Sequence, residues 1–154
     1  MADGNGGQRP FQSYINEAKE GRLTVKMDPE EFVYMDRDCE AMKLLIRSLQ
    51  ASTKEIRDSE NWWGTRDKTD LVSASVMEIR LREKAKDSDN GNDINTIMEE
   101  HYKYIEDIQE VHKVIREKMM AADKDFAARF NAKAQSLGPV TTPLKPRQPG
   151  VTTW

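Results

Sequence analysis

Between Phe32 and Ile56 the apolar positions are Phe32, Met35, Cys39, Met42, Ile46, Leu49, Thr53 and Ile56, separated by 3, 4, 3, 4, 3, 4 and 3 residues. An unbroken heptad seam of this kind is compatible with a long α-helix and not with a strand, because only a period near 3.5 returns these positions to one side of the chain. Charged residues fill much of the remaining surface, as a narrow helix–helix contact surrounded by water requires. The seam therefore predicts a second helix packed along the first.

Local signals set the limits of that helix. Asp28-Pro29-Glu30-Glu31 is a helix start: the Asp side chain accepts from free N–H groups, Pro is tolerated in the first turn, and the acidic pair suits the positive end of the dipole. The helix is predicted to run to about Ser59. After Asn61-Trp62-Trp63-Gly64-Thr65 the apolar pattern resumes at Leu71, Val72, Val76, Ile79 and Leu81 and continues to about Ala85. A Gly-containing break between amphipathic helices reads as a tight helical turn, with Gly64 free to adopt the left-handed conformation. Residues 87–92, DSDNGN, then interrupt the second arm with loop formers. Asp93 caps a further helix expected to be continuous from Ile94 to about Lys133, with a stripe through Met98, Ile105, Ile108, Val111, Ile115, Met119, Ala122, Phe126 and Phe130. This stripe is wider than the first seam and suits more than one neighbour.

The ends read differently. Residues 1–10 carry three glycines and a proline with little to bury, and are expected to form a disordered tail. Residues 11–27 predict a short helix, through Phe11, Tyr14, Ile15 and Ala18 to a stop at Gly21, followed by an extended connector at Leu23–Val25. The helical domain spans 28–135. Beyond it, residues 136–154 hold Pro139, Pro143, Pro146 and Pro149, which forbid a continuous helix and favour a solvated tail ending at Trp154. The predicted fold is all-α: an elongated antiparallel helical hairpin with an interrupted second arm and disordered termini.

Composition narrows the function. Of 154 residues, 33% are charged and 37% hydrophobic, with a mean hydropathy of −0.81, well on the polar side of a globular enzyme domain. A net charge of −3 gives no drive toward a phosphate backbone, so no nucleic-acid partner is expected. Cys39, His101 and His112 are too few to build a zinc site without carboxylates, and a lone cysteine forms no internal disulfide. No apolar run is long enough to span a membrane, and the start lacks the pattern of a cleaved signal peptide. Nucleophile–base pairs, carboxylate pairs in an apolar setting and phosphate-cradling Gly loops are not apparent, so neither catalysis nor a cofactor is expected. Two helices bury only a narrow stripe, which predicts a homodimer or a heterodimer with another helical hairpin, assembling toward a four-helix bundle.

The two long amphipathic arms meeting at Trp62-Trp63-Gly64 resemble the W-x-G helical hairpins of bacterial type VII secretion, Trp62 matching that family's Trp and Gly64 its Gly. The resemblance covers about Asp28 to Lys133, and includes the closing stretch from Met120 to Phe130, which looks like the end of the second helix in actinobacterial relatives. Residues Phe11 to Val25 are similar to a leader seen in some of them. The resemblance implies a cytoplasmically made protein exported as a substrate, or a partner accompanying a larger effector, with the secretion ATPase or the effector as the contacting protein. The family's export signal, Tyr followed four residues later by an acid, finds Tyr102 with Glu106 and Tyr34 with Asp38.

Residue by residue, simpler roles stand beside these. Trp62 and Trp63 offer a recognition surface or close the end of the hairpin. His101 and His112, three turns apart on one helix, respond to pH or sit half-exposed beside the seam. Cys39 fits a seam as a small buried thiol, and the methionines suit either core filling or an adaptable binding surface. A cytosolic coiled-coil adaptor or chaperone is the alternative function, and a structural part of a phage or envelope assembly a third.

Overall fold

A computed structural model describes residues 9–59 and 72–143. Among these residues the regular structure is entirely helical: α1 (Gln12–Glu20), α2 (Pro29–Asp58), α3 (Val72–Ala85), α4 (Ile94–Ala122) and α5 (Lys124–Leu137). Trp62, Trp63, Gly64 and Trp154 lie outside the described residues.

Each boundary has a local cause. Glu31 turns back so that its carboxylate accepts the Asp28 backbone N–H at 3.0 Å, and Pro29 occupies the first turn of α2. Gly21 ends α1 at φ 77°, a left-handed geometry that lets its N–H reach the Ala18 carbonyl while Arg22 N–H reaches that of Glu17. Asp93, almost fully buried, caps α4 by accepting from Thr96 N–H at 2.8 Å and Thr96 Oγ1 at 2.9 Å.

The expected single helix from Ile94 to Lys133 is instead two. Asp123 takes an extended conformation (φ −134°, ψ 112°) and its Oδ1 accepts from the N–H groups of Asp125 and Phe126 at 2.9 and 3.2 Å. A short acceptor side chain here competes with the helical hydrogen-bond ladder and starts α5 afresh. The bend lets α5 turn onto the N-terminal part of α2, where Arg129 grips Glu30 through two hydrogen bonds, at 3.0 and 2.7 Å. α5 continues to Leu137, past the predicted domain limit at 135, and Arg37 donates to the Leu137 carbonyl at 3.3 Å and to that of Gly138.

Contacts between α2 and α4 run in opposite chain directions: Thr53 and Gln50 meet Asn95, Arg47 meets Glu99, Glu40 meets Gln109 and Asp36 meets Arg116. α4 also touches α1, α3 and α5. The packed core lies at one end, where Ala18, Phe32, Val114, Ile115 and Phe126 are buried together, with Phe32 and Phe126 edge to face at 5.9 Å. Leu23, Val25 and Met27 of the connector close over it.

At the other end the core thins. Ile46, Ala85 and Ile105 are buried, but Thr53, Glu78 and Asp93 are buried with them. The exposed large aliphatic side chains of the described residues all fall between Met42 and Ile97. α3 shows this most clearly: Val72, Val76, Met77, Ile79 and Leu81 are exposed, whereas Glu78, in an ion pair with Arg82, and Ala85 are buried.

Candidate interaction surface

The heptad seam does not enter the interface as a whole. Phe32, Ile46 and Thr53 are buried and Met35 and Cys39 half-buried, but Met42, Leu49 and Ile56 remain 42%, 43% and 39% exposed. The reason is angular. Positions three apart on a helix differ by about 60° around its axis, so one row can centre on a neighbour while the other stands at its rim. α4 meets the row of Phe32, Cys39, Ile46 and Thr53 through His112 on Phe32 and Asn95 on Thr53, and its polar contacts with α2 go to Asp36, Glu40, Arg47 and Gln50. Those contacts draw α4 away from the Met42–Leu49–Ile56 row and leave it open.

Of the candidate export residues, Tyr102 lies against α2, with the Arg47 guanidinium 3.9 Å from its ring centroid and Lys43 Nζ at 6.0 Å. Arg47 is held there by Glu99, to which it donates at 2.6 Å, while Gln50 donates to the same carboxylate at 3.0 Å. Those hydrogen bonds, Gln50's first, hold the Glu99 carboxyl below the usual range. Glu106, one turn beyond Tyr102, is exposed beside an open cavity of about 310 Å³ whose other lining groups include Arg9, Asp36, Lys43 and Arg116. Cations and carboxylates alternate there and screen one another, which gives little means of activating any one of them. Tyr34 carries Lys133 Nζ 4.9 Å from its ring centroid, and Asp38 is exposed. Both tyrosines thus sit beneath a cation from a neighbouring helix, an arrangement that positions the rings.

His101 is exposed beside Tyr104, with ring centroids 6.4 Å apart. His112 is half-buried, edge-on to Phe32 at 6.5 Å, and its Nδ1 is buried without a hydrogen-bond partner. Burial holds its pKa below the ordinary value, against the pull of Asp36. Asp36 itself is pushed upward by burial despite its ion pair with Arg116. Burial likewise raises the Cys39 thiol, so thiolate is scarce at neutral pH. Among the described residues no three of His, Cys, Asp and Glu gather to hold a metal ion, and no helix is long and apolar enough to cross a membrane.

One important residue carries no sequence signal. Asp107 is 1% exposed, accepts the Phe11 backbone N–H at 3.1 Å and pairs with Arg9 at 2.5 Å. α1 has no side-chain cap of its own and no acid in its first turn, so this carboxylate of α4 caps it from 96 residues away. The tertiary fold thereby supplies what the local sequence lacks.

No protein-family model, curated protein or solved structure matches this chain.

Proposed function

We propose that this chain is a non-enzymatic helical partner protein of type VII secretion, either an exported substrate or a companion of a larger effector. In this reading α2 and the arm formed by α3 and α4 make an elongated antiparallel hairpin joined through Trp62-Trp63-Gly64, and a second hairpin completes it. No cofactor takes part. The observation that carries the reading is the segregation of apolar surface: among the described residues the exposed large aliphatic side chains lie from Met42 to Ile97, on either side of the segment bearing the W-x-G triplet in the sequence, while the other end is sealed by its own core. Surface of this kind marks a protein–protein contact. The order of the α2–α4 contacts agrees with the hairpin, and the Tyr102–Glu106 side of α4 gives an effector or the export ATPase a second, charged face.

The same apolar end serves the alternative, a cytosolic adaptor, and export separates the two. Partnering itself is tested by light scattering on the purified chain and on the chain recovered from its native host. The expected result is a mass of twice 17.7 kDa for a homodimer, or a stoichiometric complex with one other helical chain. A single-chain mass from both sources at every concentration would remove the partner reading.

A further inference from the structure

α1 sits on α4 as a ligand sits in a site. Among the described helices its backbone lies against α4 alone, and the two run in the same direction, with Phe11 beside Tyr104 and Asp107 at one end and Lys19 beside Lys118 at the other. Each end of α1 meets the charge that suits its dipole: Asp107 accepts the Phe11 N–H, and Lys118 Nζ donates to the Lys19 carbonyl at 2.6 Å. Gly21 keeps the space around that ammonium clear, since a Cβ there would stand 3.4 Å from Lys118 Nζ. The carboxylate and the ammonium are 11 residues apart on α4, about 16 Å along its axis. They thereby set both the length and the direction of the helix that lies between them.

Three properties mark α1 as replaceable in this groove. Its 9 residues are too few to hold a helix in water unaided, so its helicity is borrowed from α4. It ends at left-handed Gly21 and continues as a connector without regular structure, so no neighbouring helix locks it in place. Its fit is also loose. Ile15 and Ala18 are buried, but two open apolar clefts bordered by Leu23 remain, one of about 180 Å³ beside Tyr14, Ile108 and Val111 and one of about 300 Å³ beside Val25, Ile115 and Met119. Packed protein interiors leave few voids larger than a water molecule, so this groove is wider than its occupant.

We therefore propose that this groove of α4 is a docking site for a short amphipathic helix of a protein partner, and that α1 is its displaceable resident. The partner helix lies parallel to α4, offers its free N–H groups to Asp107 and its last carbonyls to Lys118, and fills the clefts beside Leu23 with apolar side chains. The inference rests on the partner-binding part of the proposed function and adds a site separate from the surface between Met42 and Ile97.

The test empties the groove and supplies a helix in trans. In the full chain, Ile15→Asp and, separately, Ala18→Asp set a carboxylate against buried apolar surface and undock α1. Hydrogen exchange reads the release of α1, and circular dichroism reads the remaining fold. The probe is a fluorescent peptide of residues 9–21, followed by anisotropy. Both variants are expected to bind it, and the unaltered chain to bind it at least ~10-fold more weakly because α1 occupies the groove. Adding Asp107→Ala or Lys118→Glu to either variant is expected to weaken binding about 3- to 10-fold. No binding by either variant, equal binding by the unaltered chain, or binding indifferent to both Asp107 and Lys118 would each overturn the proposal. Unfolding of the whole molecule by both substitutions would overturn it too, since α1 would then be part of a core that cannot be vacated. A chain that light scattering finds single but that binds the peptide as expected would lose the partner reading and keep the groove as a helix site. A partnered chain that fails the peptide test would lose this site alone.

Discussion

Replacing Asp107 with Ala should release α1 while leaving the rest of the fold standing. The carboxylate is 1% exposed and supplies the acceptor for Phe11 N–H at 3.1 Å and the partner of Arg9 at 2.5 Å. Loss of a helix N-cap costs about 0.5–2 kcal/mol. A partly buried donor left unsatisfied costs about 1–3 kcal/mol, overlapping with the cap term because the same N–H is involved. The Arg9 pair adds little, since that side chain is 47% exposed. A working figure of about 2 kcal/mol for undocking α1 corresponds to roughly 30-fold in its opening equilibrium. Native-state hydrogen exchange reads this directly. Amides of α1 that exchange by local opening should exchange about 30-fold faster, while those of α2 near Phe32 and of α4 near Ile115 change far less. Unchanged protection in α1 would refute the capping argument. An equal loss across all helices would show that α1 opens only with the whole molecule.

Phe32→Ala removes a fully buried ring in contact with Phe126 and His112, and should cost about 3–5 kcal/mol in denaturant unfolding, a large part of a small domain's stability. His112 has a folded pKa below its ordinary 6.5, so the unfolded chain takes up the proton first as pH falls. Its contribution is therefore present above about pH 6.5 and declines as pH drops toward the folded value, by no more than about 1.4 kcal/mol per pH unit. His112→Phe should flatten the stability profile between pH 7 and 5.5, measured by urea melts at several pH values, and an unchanged slope would count against this role. Asp123→Ala removes the cap of α5 and should cost about 1 kcal/mol, with the loss of protection in hydrogen exchange greatest across residues 124–130.

Much of the helical architecture was legible because its causes are local. Asp28-Pro29 and Asp93 announce helix starts through side-chain acceptors, and Gly21 ends α1 where a left-handed residue is needed. The division of the 94–137 region was less legible, because Asp123 stands inside an apolar periodicity that continues through Phe126 and Phe130; the capping bonds, not the pattern, decide the break. The heptad seam revealed which residues lie on one side of α2 but not that α4 would centre on one of its two rows. That choice depends on Arg47, Gln50 and Glu40 finding partners on α4, which no spacing encodes. α3 illustrates the same limit, since its aliphatic residues face outward and its buried positions are Glu78 and Ala85. Asp107 lies among the apolar residues of α4, and only the fold reveals that it caps α1. The resemblance-based site rests on Trp62, Trp63 and Gly64, which lie outside the described residues, and on Tyr102, which is held under Arg47.

Export decides the central claim most directly. Cell pellets and culture supernatants of the native host are immunoblotted for this chain with and without the type VII ATPase, alongside a cytosolic lysis marker. The account predicts the chain in the supernatant only when the ATPase is present, with the lysis marker confined to the pellet. Retention in the pellet under both conditions would contradict a role as exported substrate or exported partner, and leave the cytosolic adaptor.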